Sequence, residues 1–284
     1  MSSSAAEPQI VPATRRGTRS GVSMFRTRGG QLLRLIGSGC LAIGIWYGIL
    51  LLFDLPHYVL PTPQGVMQHL WHGLVAAPIE HGFFARQGFY QPAWDTIRVF
   101  GLGFLLGCAS ALVVALLMAW FKLFDDLVFP LVTGIQSMPK IALAPLFVLW
   151  FGFGAQSRVM LASVLAFFPM LVNTRAGLLN IDEDRMMMAR SFSATRWRIV
   201  RRISVPSAMP YIATGLELAV VYALLGAIVA EFMAGSEGLG VRLLQFQYNQ
   251  AVGAMFAVLI LMAAIGITLN RLVGLIRKKL VFWN

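Results

Sequence analysis

The stretch "ARSFSATRWRIVRRISVPSAMP", residues 189 to 210, lies between two of the most apolar parts of a 284-residue chain. It carries five arginines, and two prolines stand near its end. Stepping roughly 100° per residue along 196–204 gathers Arg198, Arg201 and Arg202 on one side. Trp197, Ile199, Val200 and Ile203 gather on the other. Arg196 falls on the apolar side, at the helix end, where its long stem can swing to water. Thr195 stands as the cap, and Pro206 and Pro210 are expected to stop this helix and start the next. The pattern predicts a short amphipathic helix whose apolar face needs a surface, either the lipid interface or another protein.

The surroundings of that helix are membrane. Of the whole chain 58% is hydrophobic and only 12% charged, with a mean hydropathy of +0.73. A soluble domain is about a quarter charged, and several stretches here reach the ~20 apolar residues that a bilayer core demands. The expectation is an all-α, polytopic membrane protein with six spans: 33–53, 95–120, 127–151, 158–178, 211–234 and 251–272. Residues 1–32 read as a disordered basic tail, 54–92 as a periplasmic segment and 180–210 as a cytosolic loop. With the N-terminus in the cytosol, 18 of the 23 Lys and Arg fall on the cytosolic side and four outside, with Lys140 inside a span. This is the positive-inside asymmetry; it puts both termini in the cytosol and accounts for the net charge of +11 without a nucleic-acid partner. The apolar 35–53 reads as a retained signal-anchor span, since no small-residue cleavage site follows it. Cys40 and Cys108 both fall in spans and suggest neither a disulfide framework nor a metal site.

Other segments read locally. Thr62 caps a helix with Pro63 in its first turn, and Val66, Leu70 and Leu74 form a stripe suited to the membrane surface. All four histidines (His57, His69, His72, His81) lie in that segment; His69 and His72 share a face, but no further metal ligands join them. Gly103, Gly107, Ala111 and Ala115, four apart, let a second membrane helix approach closely. "GIQSMPKIALAPLFVLWFGFG" places Pro139, Pro145 and Lys140 in one span, which reads as a broken helix beside a pathway. "GSEGLG", 235–240, reads as a glycine-rich outer turn. No G-x-x-x-x-G-K-[ST] occurs, so the chain has no phosphate-cradling loop of its own.

Residues 187–206 resemble the signature loop of importer permeases of the ATP-binding-cassette (ABC) superfamily, E-A-A, three residues, G, nine residues, I-x-L-P. The matching positions are Met187, Met188, Ala189, Ser193, Ile203, Val205 and Pro206. The spacing is intact, while Met187 replaces the glutamate and Ser193 replaces the glycine that bends the loop. Ser193 must therefore make that turn by another geometry, or the bend is softer. "VLPTPQGV", "MPKIALAPLFVLWFGFG", "FFPMLVNTRAGL", "VPSAMPYIATGLELA", "AEFMAGSEGLG" and "RKKLVFW" resemble, in order, the nitrate/sulfonate/taurine branch of those permeases. The resemblance implies a type I importer permease with a five-helix core plus an N-terminal helix in the bacterial inner membrane. It also implies a homodimer, two ABC ATPase subunits that hold ATP and Mg, and a soluble solute-binding protein outside. Trp197, Ile199 and Val200 would be the docking anchors for the ATPase, with the arginines orienting the encounter. No cofactor, metal or catalytic residue is expected on this chain.

Charges inside a span are functional-site candidates. Lys140, Glu217 and Glu231 qualify, with Gln136, Ser137, Asn173 and Thr174 as further candidates for lining a pathway. Glu217 departs from the basic residue the branch suggests: it is either a selectivity feature or a partner of Lys140 or cytosolic water. In a pathway it would disfavour a strongly anionic cargo and favour a pyrimidine or vitamin precursor over a sulfonate. The competing class is a self-sufficient secondary transporter or channel, which usually shows internal repeats. A membrane-embedded enzyme would need a nucleophile or metal constellation that these spans lack.

Overall fold

The computed structural model describes residues 28–54, 56, 58–82, 88–181 and 183–280. Most of the expected disordered tail (1–27), His57, Arg86 and the end of "RKKLVFW" lie outside the described residues, as do the side chains of His81 and Arg196. The chain forms two units, 1–55 and 56–284. In the first, helix α1 (Arg28–Phe53) starts within the expected tail and is apolar from Gly37 to Phe53.

Every regular element among the described residues of the second unit is a helix, with no strand. Helix α2 (Pro63–Trp71) starts as expected: Thr62 Oγ1 accepts the Gly65 N–H at 3.2 Å, and Pro63 occupies the first turn. A π-turn (His72–Ala76) carries α2 into α3 (Ala77–His81). The Val66 stripe does not lie on a membrane surface: Val66 is buried, and α2 packs against the last helix, α12 (Val252–Leu280). A stripe of that width serves a protein neighbour as well as lipid, so periodicity could not tell them apart.

Three long helices form the core: α4 (Tyr90–Trp120), α7 (Ala155–Leu179) and α10 (Val205–Ala234). α7 lies between the other two, and the small residues say why. Gly103, Gly107, Ala111 and Ala115 of α4 are all buried, the two glycines directly against Ala162, Ser163 and Ala166 of α7. On the other flank, Gly226 of α10 abuts Ala162, Gly215 abuts Asn173 and Met170, and Gly177 of α7 abuts Tyr211 and Ala208. The residue pairing makes α4 run parallel to α7, and α10 antiparallel to it. Association in lipid depends on this closeness, because apolar surface gains nothing by leaving lipid tails.

The expected broken span is present. Helix α5 (Lys122–Gln136) ends at Ser137, and a 3-10 turn (Lys140–Leu143) leads into α6 (Ala144–Phe151), the two limbs bent by 92°. Pro139 stands at the break, while Pro145 sits in the first turn of α6, where a missing N–H costs nothing. Among the described residues, four helices are long and apolar enough to cross a membrane, or five with the broken pair counted as one. After α7 come α8 (Glu183–Ser191) and α9 (Arg196–Ile199), and after α10 comes α11 (Leu239–Tyr248).

One boundary differs from expectation. Pro206 and Pro210 do not stop the basic helix, which runs through a π-turn (Val200–Ser204) into α10 as one helix, Trp197–Ala234. The Val205 N–H reaches back to the Val200 carbonyl, and Pro206 then sits in the first turn of α10. The π-turn re-phases the hydrogen-bond ladder just before Pro206, while Pro210 lies inside α10, which continues through it at the loss of one ladder bond.

The packing makes a direct prediction. A Cβ on Gly107 would collide with the Ser163 carbonyl, whereas Gly101 has open space around it. Gly107→Ala should destabilise the detergent-solubilised protein by about 1–3 kcal/mol, read as a lower melting temperature. Gly101→Ala should leave it unchanged or slightly raised; equal losses at both sites would remove close approach as the cause.

Candidate functional site

The loop between α7 and α10 ends α8 with a left-handed residue. Ser193 has φ 50°, and the Ala194 N–H bonds the Ala189 carbonyl at 3.1 Å. That is the Schellman arrangement, with serine in the seat glycine usually takes. The bend is therefore as sharp as the glycine version and is held by a residue that pays about 1 kcal/mol to adopt it. Ala189 is buried under the turn, while Met187, Met188 and Phe192 are exposed, Phe192 at 78%. Arg198, Arg201 and Arg202 face solvent, and Ile199, Val200 and Ile203 are half-buried, as the helical stepping required. Val205 and Pro206 are half-buried at the start of α10. Trp197 packs its indole 5.7 Å from that of Trp120, the last residue of α4, yet stays 59% exposed. Met187, Met188, Phe192 and Trp197 thus form an exposed apolar set on one short loop. Phe192 escaped the sequence reading because it precedes the helix that was stepped; an aromatic between Ser191 and Ser193 was the available signal.

At the elbow of the broken span, the Lys140 ammonium donates to the Gln136 carbonyl at 2.9 Å and lies 5.2 Å from the centre of the Phe168 ring. It caps the end of α5, as a cation does at a helix C-terminus. Gln136 and Ser137 are exposed there, and Ser137 Oγ donates to the Thr133 carbonyl. Asn173 is half-buried, its amide donating to the Pro169 carbonyl at 2.8 Å. Thr174 points into packed interior, 1% exposed, with no partner for its hydroxyl. Glu217 does not meet Lys140: both its oxygens lie 3.1 Å from Arg277 Nη1 on α12. Nearby, Arg175 grips Asp125 with two bonds of 2.5 and 2.7 Å and stacks on Phe129, tying α5 to α7.

The opposite end of the bundle holds the most enclosed charge among the described residues. Glu231, 1% exposed, accepts from Thr96 Oγ1 at 2.8 Å and from the Gly240 N–H at 2.7 Å. It is enclosed by protein. Arg158 of α7 is also buried and donates to the Gly154 and Glu237 carbonyls. "GSEGLG" is therefore more than a turn, since it is bonded to α4, α7 and α10. Beside it lies a cavity of about 180 Å³ walled by Gln91, Asp95, Glu237, Arg242 and Gln245. A second, of about 460 Å³, is lined by His69, His72, Phe89, Arg242 and Phe246. Arg242 borders both, and burial pulls its guanidinium pKa below the ordinary value.

Comparison with known proteins agrees with this architecture. Residues 103–282 match the family "Binding-protein-dependent transport system inner membrane component". A probable ABC transporter permease protein of Haemophilus influenzae is 32% identical over 79% of this chain and 87% of its own length. The formylaminopyrimidine transport permease protein ThiX of Halalkalibacterium halodurans is 35% identical over 61% of this chain and 69% of its own. Among solved structures, an inward-facing MetNI methionine ABC transporter covers 67% of this chain and 95% of its own at a TM-score of 0.58 and 21% identity, a likeness of fold. The chain belongs to the binding-protein-dependent inner-membrane component family and is the permease subunit of an ABC importer.

Proposed function

We propose that the loop at 187–206 is where a partner ATPase drives this permease. The observation that carries the reading is the exposed apolar set Met187, Met188, Phe192 and Trp197, rimmed by arginines on a sharply bent loop. Four large apolar side chains held in water are an interaction surface in waiting. Two ATPase subunits, holding ATP and Mg, would clasp the loops of two permease copies from the cytosol. A soluble binding protein would deliver solute to the 235–250 end. The orientation rests on the sorting of lysine and arginine. Closure of the ATPases would then push each loop and tilt the helix that begins at Trp197, opening the bundle to the outside.

The pathway is proposed to pass the elbow of the broken span, along Gln136, Ser137, Lys140 and Asn173. Thr174 and Glu231 are enclosed and take no part in it. The cargo is proposed to be a small solute of the pyrimidine or vitamin-precursor kind, a reading supported by the relative named for formylaminopyrimidine. The sulfonate reading stands beside it, because Arg277 offsets the Glu217 charge that would have repelled an anion.

Trp197→Ala should reduce ATP-driven uptake in vesicles by about 30-fold, the scale of an interface hot spot, with the permease still present in the membrane. Unchanged uptake would remove the docking assignment. Ser193→Gly relieves the left-handed serine and should keep uptake while raising thermal stability by up to about 1 kcal/mol; lost uptake would mean the serine side chain itself is used. For Glu217, the charge swap decides. If Glu217→Arg impairs uptake and adding Arg277→Glu restores it with unaltered cargo preference, the pair is structural. A preference that changes and stays changed in the double variant makes Glu217 a selectivity residue.

A further inference from the structure

We propose that Glu231 is a positioning residue that makes α11 move as one body with the helix Trp197–Ala234, so that events at one membrane face are felt at the other. The inference rests on the reading of 187–206 as the ATPase-docking loop. A carboxylate enclosed near the end of a membrane span is expensive unless its oxygens are bonded, and here each oxygen has its own donor. Oε1 takes the Thr96 hydroxyl from α4, and Oε2 takes the Gly240 N–H from the first turn of α11. Thr96 Oγ1 in turn accepts the Leu239 N–H at 2.9 Å. Its single proton has two acceptors within reach, Glu231 Oε1 at 2.8 Å and the Pro92 carbonyl at 3.1 Å, and the carboxyl oxygen is the closer. One side chain therefore straps three helices together.

The loop is shaped to fit that strap. Gly238 has φ 123°, and a Cβ there would run into the Glu231 carboxylate. A Cβ on Gly240 would press on the Glu231 side chain, and one on Gly235 on its backbone. All three glycines of "GSEGLG" thus keep the chain wrapped around Glu231. Arg158 closes the other side by holding the Glu237 carbonyl at 2.9 Å. What the strap fixes is the helix bearing Arg242, Gln245 and Phe246, which form walls of both cavities at this end. A partner landing there presses on α11, and α11 is bonded to the far end of the helix that begins in the docking loop. A glutamine at 231 could keep both contacts by donating its amide to Thr96 Oγ1 while the Thr96 hydroxyl turns to the Pro92 carbonyl, whereas a methionine keeps the length and has no oxygen for either donor.

The test uses the whole complex (permease, its ATPase and its solute-binding protein) in proteoliposomes, reading basal ATPase activity, its stimulation by the binding protein, and uptake. Glu231→Met should keep basal activity within about twofold while stimulation and uptake fall by about tenfold or more, the scale of lost buried hydrogen bonds. Wild-type stimulation overturns the proposal. So does a loss of basal and stimulated activity in the same proportion, which is the mark of a merely structural role. If Glu231→Met does not accumulate, Thr96→Val decides. It frees Glu231 Oε1 and the Leu239 N–H but leaves the Gly240 bond, and the same split supports the proposal while wild-type stimulation overturns it. Co-purification of the ATPase with Trp197→Ala reports on the docking loop separately: an ATPase that stays fully bound sinks that reading, whatever Glu231 does.

Discussion

A membrane helix gains nothing from hydrophobicity by turning from lipid to another helix, so this bundle stands on how closely α7 meets its two neighbours. Small residues at four-residue spacing let α4 lie against it, and Gly177, Gly215 and Gly226 let α10 do the same. The gain is van der Waals contact, small per atom pair and large over helices this long. The broken span joins the same packing: Phe124, Val128, Phe129 and Val132 of α5 lie in or against the main core, and Ala144 and Phe147 of α6 pack on Leu161 and Leu165 of α7. The grip of Arg175 on Asp125 adds a polar tie to α5, while the elbow, residues 136–139, is left exposed.

The charges are treated according to how enclosed they are. Glu231, shut away from water, has a donor for each oxygen. Asp125, nearly buried, has both oxygens on one guanidinium. Glu217 and Arg277, both partly in water, meet with a looser 3.1 Å geometry. Enclosed charges cannot be left half-paired, while exposed pairs contribute little.

Much of this was legible in the sequence, because the physics was local. The four-residue spacing of small residues, the Thr62 cap with Pro63 and the break at Pro139 each follow from neighbours a turn apart. The family followed from a chain of short motifs in order. What the sequence hid depends on partners distant along the chain. Nothing near Glu217 points to Arg277, and nothing near Glu231 points to Thr96. The Val66 stripe could not declare whether lipid or α12 would cover it. Ser193 in a left-handed turn is an option that serine pays for, so the residue type alone left it open. Pro206 misled for a related reason: a proline argues for a helix end only while the ladder keeps its ordinary phase, and the π-turn at Val200–Ser204 changes that phase; Pro210 is simply carried inside the span, as membrane helices allow.

That π-turn alters the mechanics. Had the basic helix stopped at Pro206, force from the loop would have reached the span through a flexible joint, and part of any displacement would have been lost there. On the proposed docking, a single helix of 38 residues, about 57 Å at 1.5 Å per residue, would carry the displacement along its length. The extra residue in the π-turn also separates two orientations that a plain α-helix would lock together. The face of α10 that packs on α7 must stay where Gly215 and Gly226 put it. Trp197 must point so as to meet Trp120 and still show most of its surface outward. One residue more in a turn rotates everything before it relative to everything after it. The docking end can thereby be aimed without twisting the packed span, and the cost is one irregular turn where the helix leaves the bundle.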